Sequence, residues 1–140
     1  MKWIRIDNTA HTNQDVRAIC YGCGSPAMKN TWAYLRVSDK FCKRVLSEIA
    51  EDGSAFYYAT ISKSHARLIG IAVKASEQRN GIGKVALFRL LSQLKSLGLD
   101  KLTLRTSSHE EAHLFWCAMG AIITGYDPKS EDYEMEIKFD

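Results

Sequence analysis

The most informative part of this sequence is a loop between a strand and a long helix, Ile71-Ala72-Val73-Lys74-Ala75-Ser76-Glu77-Gln78-Arg79-Asn80-Gly81-Ile82-Gly83-Lys84. The β-rich run ending at Val73 predicts a strand, and the apolar spacing over 81–97 predicts a helix. The first backbone N–H groups of a helix have no internal partner, and the helix dipole favours negative charge there. Two glycines let an anion approach the backbone, while Arg79 and Lys84 add positive charge. The segment therefore predicts a phosphate site at the start of the helix.

Two common phosphate motifs do not fit this segment. A nucleotide P-loop needs glycine where Gln78 stands and serine or threonine where Val85 stands. The dinucleotide pattern G-x-G-x-x-A does fit residues 81–86. In that fold, however, the strand leads almost directly into the first glycine, whereas residues 74–80 intervene here. The ligand must therefore be identified from the rest of the chain.

The remaining elements predict one mixed α/β domain over residues 1–140. Ser107 and Glu110 form a capping-box pattern, which predicts a helix from Ser107 to Gly120. Ser38 can cap a helix carrying Phe41, Cys42, Val45, Leu46 and Ile49. The other expected elements are strands at 3–6, 31–37, 55–61, 67–73, 102–106, 121–126 and 133–139, and a short helix at 13–20.

Composition and charge indicate which classes of protein this chain can belong to. The chain has 140 residues, of which 46% are hydrophobic and 25% charged, as in ordinary globular proteins. No apolar run approaches the ~20 residues of a membrane span, and the N-terminus lacks a secretory signal, so we expect a cytoplasmic protein. Residues 63–105 carry a net charge of +7 and residues 106–140 a net charge of −6. This pattern favours a polyanion of limited size, and a nucleic-acid partner, which needs a broader basic face, is not expected.

Two motifs resemble those of one enzyme family. Gln78, Gly81 and Gly83 match the pattern Q/R-x-x-G-x-G/A, which follows a strand in the GNAT superfamily of acyl-CoA-dependent N-acetyltransferases. A second family pattern, A-x-x-F-Y-x-x-x-G-F, is similar to the segment Ala112-His113-Leu114-Phe115-Trp116-Cys117-Ala118-Met119-Gly120-Ala121. The resemblance is specific over 66–126 and only topological over 1–62.

The resemblance implies a fold and a reaction. The fold is a central mixed, mostly antiparallel sheet, splayed between the strands at 67–73 and 102–106 and flanked by helices. The reaction transfers an acetyl group from acetyl-CoA, the co-substrate, to a primary amine of a small molecule or protein by direct attack. No metal is implied.

The resemblance also implies site residues. Backbone groups of Ile71, Ala72 and Val73 would pair with the CoA arm, and the Ala72 N–H would stabilise the oxyanion. Phe115 and Trp116 would pack beside the arm. The phosphates would bind the loop residues Gln78, Arg79, Asn80, Gly81, Ile82, Gly83 and Lys84.

Two departures from the family pattern affect the chemistry. His109 stands where an asparagine often opens the later helix, and histidine can still donate to the CoA arm. Trp116 stands at the position of the tyrosine often proposed as general acid, and indole cannot give up a proton near neutral pH. Tyr126 is the substitute that we assign as general acid. No general base is identified, because Glu77 and His65 are better explained as solvated loop side chains.

Two alternatives to a broad amine acetyltransferase remain open. The vacant acid position fits a domain that senses acyl-CoA without turnover. The basic middle of the chain is compatible with a toxin-type enzyme that acetylates aminoacyl-tRNA. The acceptor itself has no motif.

The cysteines and the last strand complete the expectations. Cys20 and Cys23 form a C-x-x-C, but a zinc site needs a second such pair, so we expect free thiols. The strand at 133–139 could pair across a homodimer.

Overall fold

The chain folds around one mixed sheet. The structure, a computed structural model, describes residues 1–6, 10–23, 28, 44–78 and 80–139. In these ranges, no helix combines the length and apolar character needed to cross a membrane. The elements in chain order are β1 (Trp3–Arg5), α1 (Ala10–Gly22), β2 (Val45–Ala50), β3 (Ala55–Ile61), β4 (Ala66–Val73), a 3₁₀ turn (Ala75–Glu77), α2 (Ile82–Ser96), β5 (Lys101–Ser107), α3 (Ala112–Ala118), β6 (Ile122–Asp127) and β7 (Asp132–Lys138).

The seven strands follow the spatial order β1-β2-β3-β4-β5-β7-β6. Neighbouring strands are antiparallel, except that β4 and β5 run parallel. A parallel pair needs a crossover connection, and here α2 provides it. The mostly antiparallel mixed sheet with flanking helices is the fold class that the sequence predicts, and the structure confirms it.

Each face of the sheet has its own core. On one face α2 and α3 bury Leu87, Leu90, Leu94 and Trp116 against β3, β4, β5 and β7. On the other face α1 buries Val16, Ile19 and Cys20 against Phe56, Tyr58 and Ala72. The strands between the two cores therefore carry alternating apolar side chains toward both layers.

A β-bulge in β4 changes which residues face which core. Ala59 pairs with Leu68 but Tyr58 pairs with Gly70, so Ile69 is the extra residue. Before the bulge Leu68 lies in the core under α2, and after it Ile71 packs on that same core. The inserted residue thus reverses the alternation halfway along β4, and it bends the strand.

The helix expected from Ser38 through Ile49 is wrong where the structure describes it. Residues Val45–Ala50 form strand β2 between β1 and β3. Glu48 is the reason that the sequence did not predict this strand, because a charged residue on a core-facing position breaks the apolar alternation that identifies strands. Residues 38–43 of that helix, and the strand expected at 31–37, lie outside the described residues.

The helix expected from Ser107 begins later, at Ala112. The Ser107 hydroxyl accepts a hydrogen bond from the His109 N–H at 3.2 Å. Ser107 therefore stabilises a turn that precedes α3, and the capping-box pattern located the turn rather than the helix.

The strand expected to pair across a dimer is internal. β7 has β5 on one side and β6 on the other, because the β6–β7 hairpin folds β6 to the outside. Among the described residues, the terminal strands of the sheet are β1 and β6. A homodimer stays a prediction, but the 133–139 strand cannot supply the free edge.

A partly buried ion pair joins α2 to the sheet. Glu48 on β2 accepts hydrogen bonds from Arg89 Nε at 2.8 Å and Nη2 at 3.1 Å, and also from the Tyr57 hydroxyl. Burial, the largest influence, raises the pKa of Glu48, but the bonds from Arg89 and Tyr57 outweigh it and hold the pKa below its ordinary value. The carboxylate is therefore charged and fully partnered at neutral pH.

We expect Glu48→Gln to destabilise the fold by about 1–3 kcal/mol, because Arg89 and Tyr57 lose a charged acceptor. The pKa of the Glu48 carboxyl is lower in the folded state than in the unfolded state, where it is 4.5. The carboxylate therefore stabilises the fold at pH values above 4.5, and this contribution is lost as pH falls through the folded-state pKa. Urea unfolding should therefore show a difference between parent and variant that is constant above pH 4.5 and shrinks below it. The matched control is Glu131→Gln, an exposed carboxylate paired with His109, which should change stability by less than about 0.5 kcal/mol. Equal effects of the two variants would contradict the stabilising role of the Glu48–Arg89 pair.

Candidate active site

The sheet opens into a cleft between β4 and β5. The two strands pair only at Ala66–Leu102 and Arg67–Thr103, and the rest of each strand diverges from the other. The resulting cleft has a volume of about 660 Å³. Residues 68–73 line it from β4, and residues 105–107 line it from β5. Backbone groups on the facing edges of both strands are consequently available to a ligand.

The start of α2 borders the same cleft. Gly81 is the N-cap residue with φ 77°, a left-handed conformation that favours glycine, and no side chain caps the helix. Gly83, in the first turn, lines the cleft. A Cβ at that position would sit 3.7 Å from both Phe115 and Val73, an ordinary van der Waals contact, so the helix start lies next to both β4 and α3. No side chain among the described residues bonds the first-turn N–H groups of α2, which lie beside the cleft.

The structure brings together about half of the predicted site residues. Those that line the cleft are Ile71, Ala72, Val73, Gln78, Gly83, Phe115 and Trp116. Others lie at the exposed or half-buried entrance of α2 without lining the cleft, namely Asn80, Gly81, Ile82 and Lys84. Arg79 lies outside the described residues.

Gln78 contributes through its side chain as well as its position. Its Nε2 donates to the backbone carbonyl of Cys23 at 2.6 Å and to that of Val73 at 3.1 Å. The amide therefore ties the loop before α2 to the end of β4 and to the residue after α1. The phosphate-site prediction for Gln78 concerned only the loop and did not foresee this link.

The wall opposite β4 comes from α3. The Phe115 and Trp116 rings meet edge to face, with centroids 5.0 Å apart, and Trp116 is only 4% exposed. Both residues line the cleft, and Phe115 touches the space above Gly83. The two rings therefore form an apolar part of the cleft wall, and their contact with a ligand stays a prediction.

Two further predicted residues, His109 and Tyr126, also do not line the cleft. His109 is 70% exposed, and its Nε2 lies 2.6 Å from Glu131 in the β6–β7 turn. Tyr126 is 52% exposed on β6, two strands away from β5, and its ring packs on Tyr133 at 5.6 Å. The roles assigned to His109 and Tyr126 stay predictions, and these positions do not support them.

Several lining residues were not predicted as site residues. Cys23 and Met28 reach the cleft from the end of α1 and beyond it, and nothing in the neighbouring sequence places them there. The acidic residues Glu110, Glu111 and Asp132 also line it, as does Arg105. Arg105 could have been predicted as a lining residue from the expected splay of the two strands, since β5 residues beyond the paired segment must face the gap.

The charge of Arg105 is compensated on the sheet. Its guanidinium lies 3.2 Å from Glu134 and 3.8 Å from Asp127. Glu134 also accepts two hydrogen bonds from Arg67, which is the main reason that its pKa is lowered. This network lies across β4, β5, β7 and β6 at the base of the opening.

The C-x-x-C pair lies in the core under α1. Cys20 and Cys23 are both free and buried, and the Cys23 thiol donates weakly to the Cys20 carbonyl at 3.6 Å. Burial, together with the neighbouring Cys23, raises the pKa of Cys20 to about 12. Cys20 is therefore a protonated and unreactive thiol. Within the described part of the chain, no three His, Cys, Asp or Glu residues group into a metal site.

Comparison with solved structures shows the same architecture in known acetyltransferases. The ribosomal-protein-S18-alanine N-acetyltransferase of Escherichia coli is 17% identical, with a TM-score of 0.75 over 99% of this chain and 95% of that one. The PaiA N-acetyltransferase of Thermoplasma acidophilum, in complex with coenzyme A, is 15% identical, with a TM-score of 0.73 over 99% and 100%. The aminoglycoside 6′-N-acetyltransferase of Enterococcus faecium is 15% identical, with a TM-score of 0.74 over 99% and 97%. At these identities the likeness establishes the fold.

The sequence comparison establishes the family. No curated protein matches the chain. A family model described as the acetyltransferase (GNAT) family matches residues 33–121, which is more than half of the chain. Together with the splayed sheet and the glycine-rich start of α2, this match shows that the chain belongs to the GNAT family of acetyltransferases.

Proposed function

We propose that this protein is an N-acetyltransferase that transfers the acetyl group of acetyl-CoA directly to a primary amine of a small molecule or protein. The observation that supports it most is the cleft where β4 and β5 separate, bordered by the start of α2. Such a cleft offers peptide groups to the CoA arm and helix N–H groups to its phosphates. An acyltransferase needs both in one place.

The residues around the cleft fit this co-substrate. Peptide groups on the open edge of β4, including those of Ile71 and Val73, can pair with the amides of the arm. The α2 start lacks a side-chain cap, so its first N–H groups can bind the diphosphate. Phe115 and Trp116 supply the apolar wall. Gln78 would hold the loop in position through its bonds to Cys23 and Val73.

Proximity would supply much of the catalysis. Holding the amine next to the thioester replaces a bimolecular encounter with a step inside the cleft. The N–H of Ile71, which the alternation along β4 turns toward the open edge, would stabilise the oxyanion that forms on the carbonyl. The Ala72 N–H, to which the resemblance assigned this role, is turned toward Phe56 on β3 because the Lys74 N–H two residues later donates to the Ser54 carbonyl. An alkyl amine with a pKa of roughly 10 must first lose a proton. Glu111 and Asp132 are carboxylates that line the cleft and are candidates to accept it.

The acceptor and the cellular location are proposals that rest on the sequence. The acceptor is a small-molecule or peptide amine, and the location is the cytoplasm. A non-catalytic acyl-CoA sensor and a toxin-type enzyme acting on aminoacyl-tRNA are less favoured, because no observation supports them specifically.

A panel of amines tests the reaction. Release of free CoA from acetyl-CoA should rise above background with at least one class among polyamines, aminoglycosides, lysine peptides and peptide N-termini. Coenzyme binding without turnover on any amine would support the sensor instead. Turnover that depends on charged tRNA and falls with salt would support the toxin-type enzyme.

A charge at Gly83 tests the coenzyme site. Gly83→Asp should weaken binding of CoA at least about a hundredfold, because a carboxylate beside the diphosphate repels it. Isothermal titration calorimetry measures the affinity, and circular dichroism checks the fold. The matched control is Gly83→Ala, whose methyl group would make only ordinary contacts at 3.7 Å, and which should bind far better than the aspartate variant. Unchanged affinity in Gly83→Asp would refute the phosphate assignment.

Coenzyme binding should also appear as stabilisation of the fold. Free CoA at about 100 times its dissociation constant should raise the unfolding free energy by about 2.7 kcal/mol. The same addition should leave the Gly83→Asp variant almost unchanged. Denaturant titration with and without CoA measures both, and equal stabilisation of the two proteins would place the ligand elsewhere.

A further inference from the structure

The hydroxyl of Thr106 on β5 has no partner in the part of the chain that the structure describes. The residue is only 9% exposed, and it lines the cleft. Neither a hydrogen bond nor any other interaction of this side chain is found among the described residues. The neighbouring hydroxyls differ, because Thr103 bonds Arg67 and the Ala66 carbonyl, and Ser107 accepts from the His109 N–H.

The Thr106 hydroxyl is accessible from the cleft. If the Thr106 oxygen were both inaccessible to solvent and without a hydrogen bond, it would share that condition with the Ser54 hydroxyl. Among the described residues, only the Ser54 hydroxyl meets both conditions. The unpartnered Thr106 oxygen is therefore not sealed, and the space that its residue borders is the cleft. Water can bond this hydroxyl while the cleft is empty, and a ligand that displaces the water must replace its hydrogen bond. The hydroxyl is therefore available to a ligand that enters the cleft.

The position along β5 shows which part of a ligand the hydroxyl would meet. Thr106 lies three residues beyond the last β4–β5 pair at Thr103, or about 10 Å along the strand. The same distance along β4, past the bulge at Ile69, leads to Gly70 and Ile71. Thr106 thus lies across the cleft from the segment that contains the proposed oxyanion donor, the N–H of Ile71.

We propose that the Thr106 hydroxyl donates a hydrogen bond to the sulfur of the acyl thioester bound in the cleft. This inference rests on the proposed function. A thioester whose carbonyl oxygen accepts a bond from β4 turns its methyl group or its sulfur toward β5. The methyl group needs no donor, whereas the sulfur gains negative charge as it leaves, so the hydroxyl matches the sulfur.

The reaction then balances without an acid side chain. The amine nitrogen forms a bond to the carbonyl carbon, the carbon–sulfur bond breaks, and the proton lost by nitrogen ends on sulfur. Thr106 keeps its own proton and stabilises the charge on sulfur while the bond breaks. A hydrogen bond to a charged acceptor is stronger than one to a neutral acceptor, so the contact favours the departing thiolate.

The pKa of the bound CoA thiol reports this contact and needs no acceptor amine. The ultraviolet absorbance of the thiolate is followed across pH in the full-length parent, Thr106→Val and Thr106→Ser. A donor that stabilises the thiolate lowers the thiol pKa, so its removal in Thr106→Val should raise that pKa by about one unit, a tenfold change in the acid constant. Thr106→Ser keeps the hydroxyl and should stay near the parent.

Urea unfolding without ligand supplies a second readout. Thr103→Val removes a bonded hydroxyl from the same strand and should lower the unfolding midpoint. Thr106→Val removes an unpartnered hydroxyl and should leave the midpoint unchanged or raise it.

Three results would overturn the proposal. They are a Thr106→Val variant as unstable as Thr103→Val, an unchanged thiol pKa in Thr106→Val, and a Thr106→Ser variant that behaves like the valine. Failure of the parent to bind CoA would overturn the proposed function and this inference together. Binding by the parent with an unchanged thiol pKa in Thr106→Val would overturn this inference alone.

Discussion

The pairing of β4 with β5 ends at Arg67 and Thr103, and the candidate site depends on this early end. The Arg67 guanidinium bonds Thr103 at 3.3 Å and both carboxylate oxygens of Glu134, at 2.8 and 3.2 Å. These bonds join β4 and β5 to β7 at the last paired position. Beyond them the bulge at Ile69 bends β4 and reverses its alternation. The hydrogen bonds of Arg67 hold the two strands together at the base of the opening, and the bulge turns β4 away from β5.

An open pair of parallel strands is unusual, because unpaired peptide groups in a partly buried cleft are unfavourable. Residues 68–73 and 105–107 border the cleft, so their facing edges must be satisfied by water or by a ligand. A ligand that carries its own amide groups along an extended arm can act as the missing strand. The same reasoning applies to α2, whose uncapped first turn needs an anion or water. Acetyl-CoA, the proposed co-substrate, carries both amide groups and a diphosphate. They follow one another along the molecule in the order in which the cleft presents the strand edges and the start of α2.

Local sequence predicted the parts of the site that local physics determines. The glycines at 81 and 83 and the apolar face of α2 located the helix start, and the structure confirms it as Ile82–Ser96. The later helix was recognised but was placed too early, because the turn at Ser107 uses the same hydroxyl-to-backbone bond as a helix cap. Contributions that depend on distant partners were missed. Cys23 reaches the cleft only because α1 packs across β3 and β4, and no residue near it in sequence indicates that contact.

Glu48 shows why β2 was mistaken for a helix, and it also links stability to the site. A charged residue on a core-facing strand position is acceptable only with a partner, and that partner, Arg89, is on α2, far away in sequence. Arg89 follows Ile82 by about two helical turns, so the ion pair fixes α2 against β2 and β3 close to the first turn. Gly83 in that turn is packed between Val73 and Phe115. The helix is therefore held at two successive places, and its first N–H groups keep a fixed position beside the cleft. A helix end can bind an anion well only if its N–H groups do not have to be ordered by the ligand, because ordering them would consume binding free energy. The buried carboxylate that obscured the strand in the sequence thus keeps the helix start preorganised.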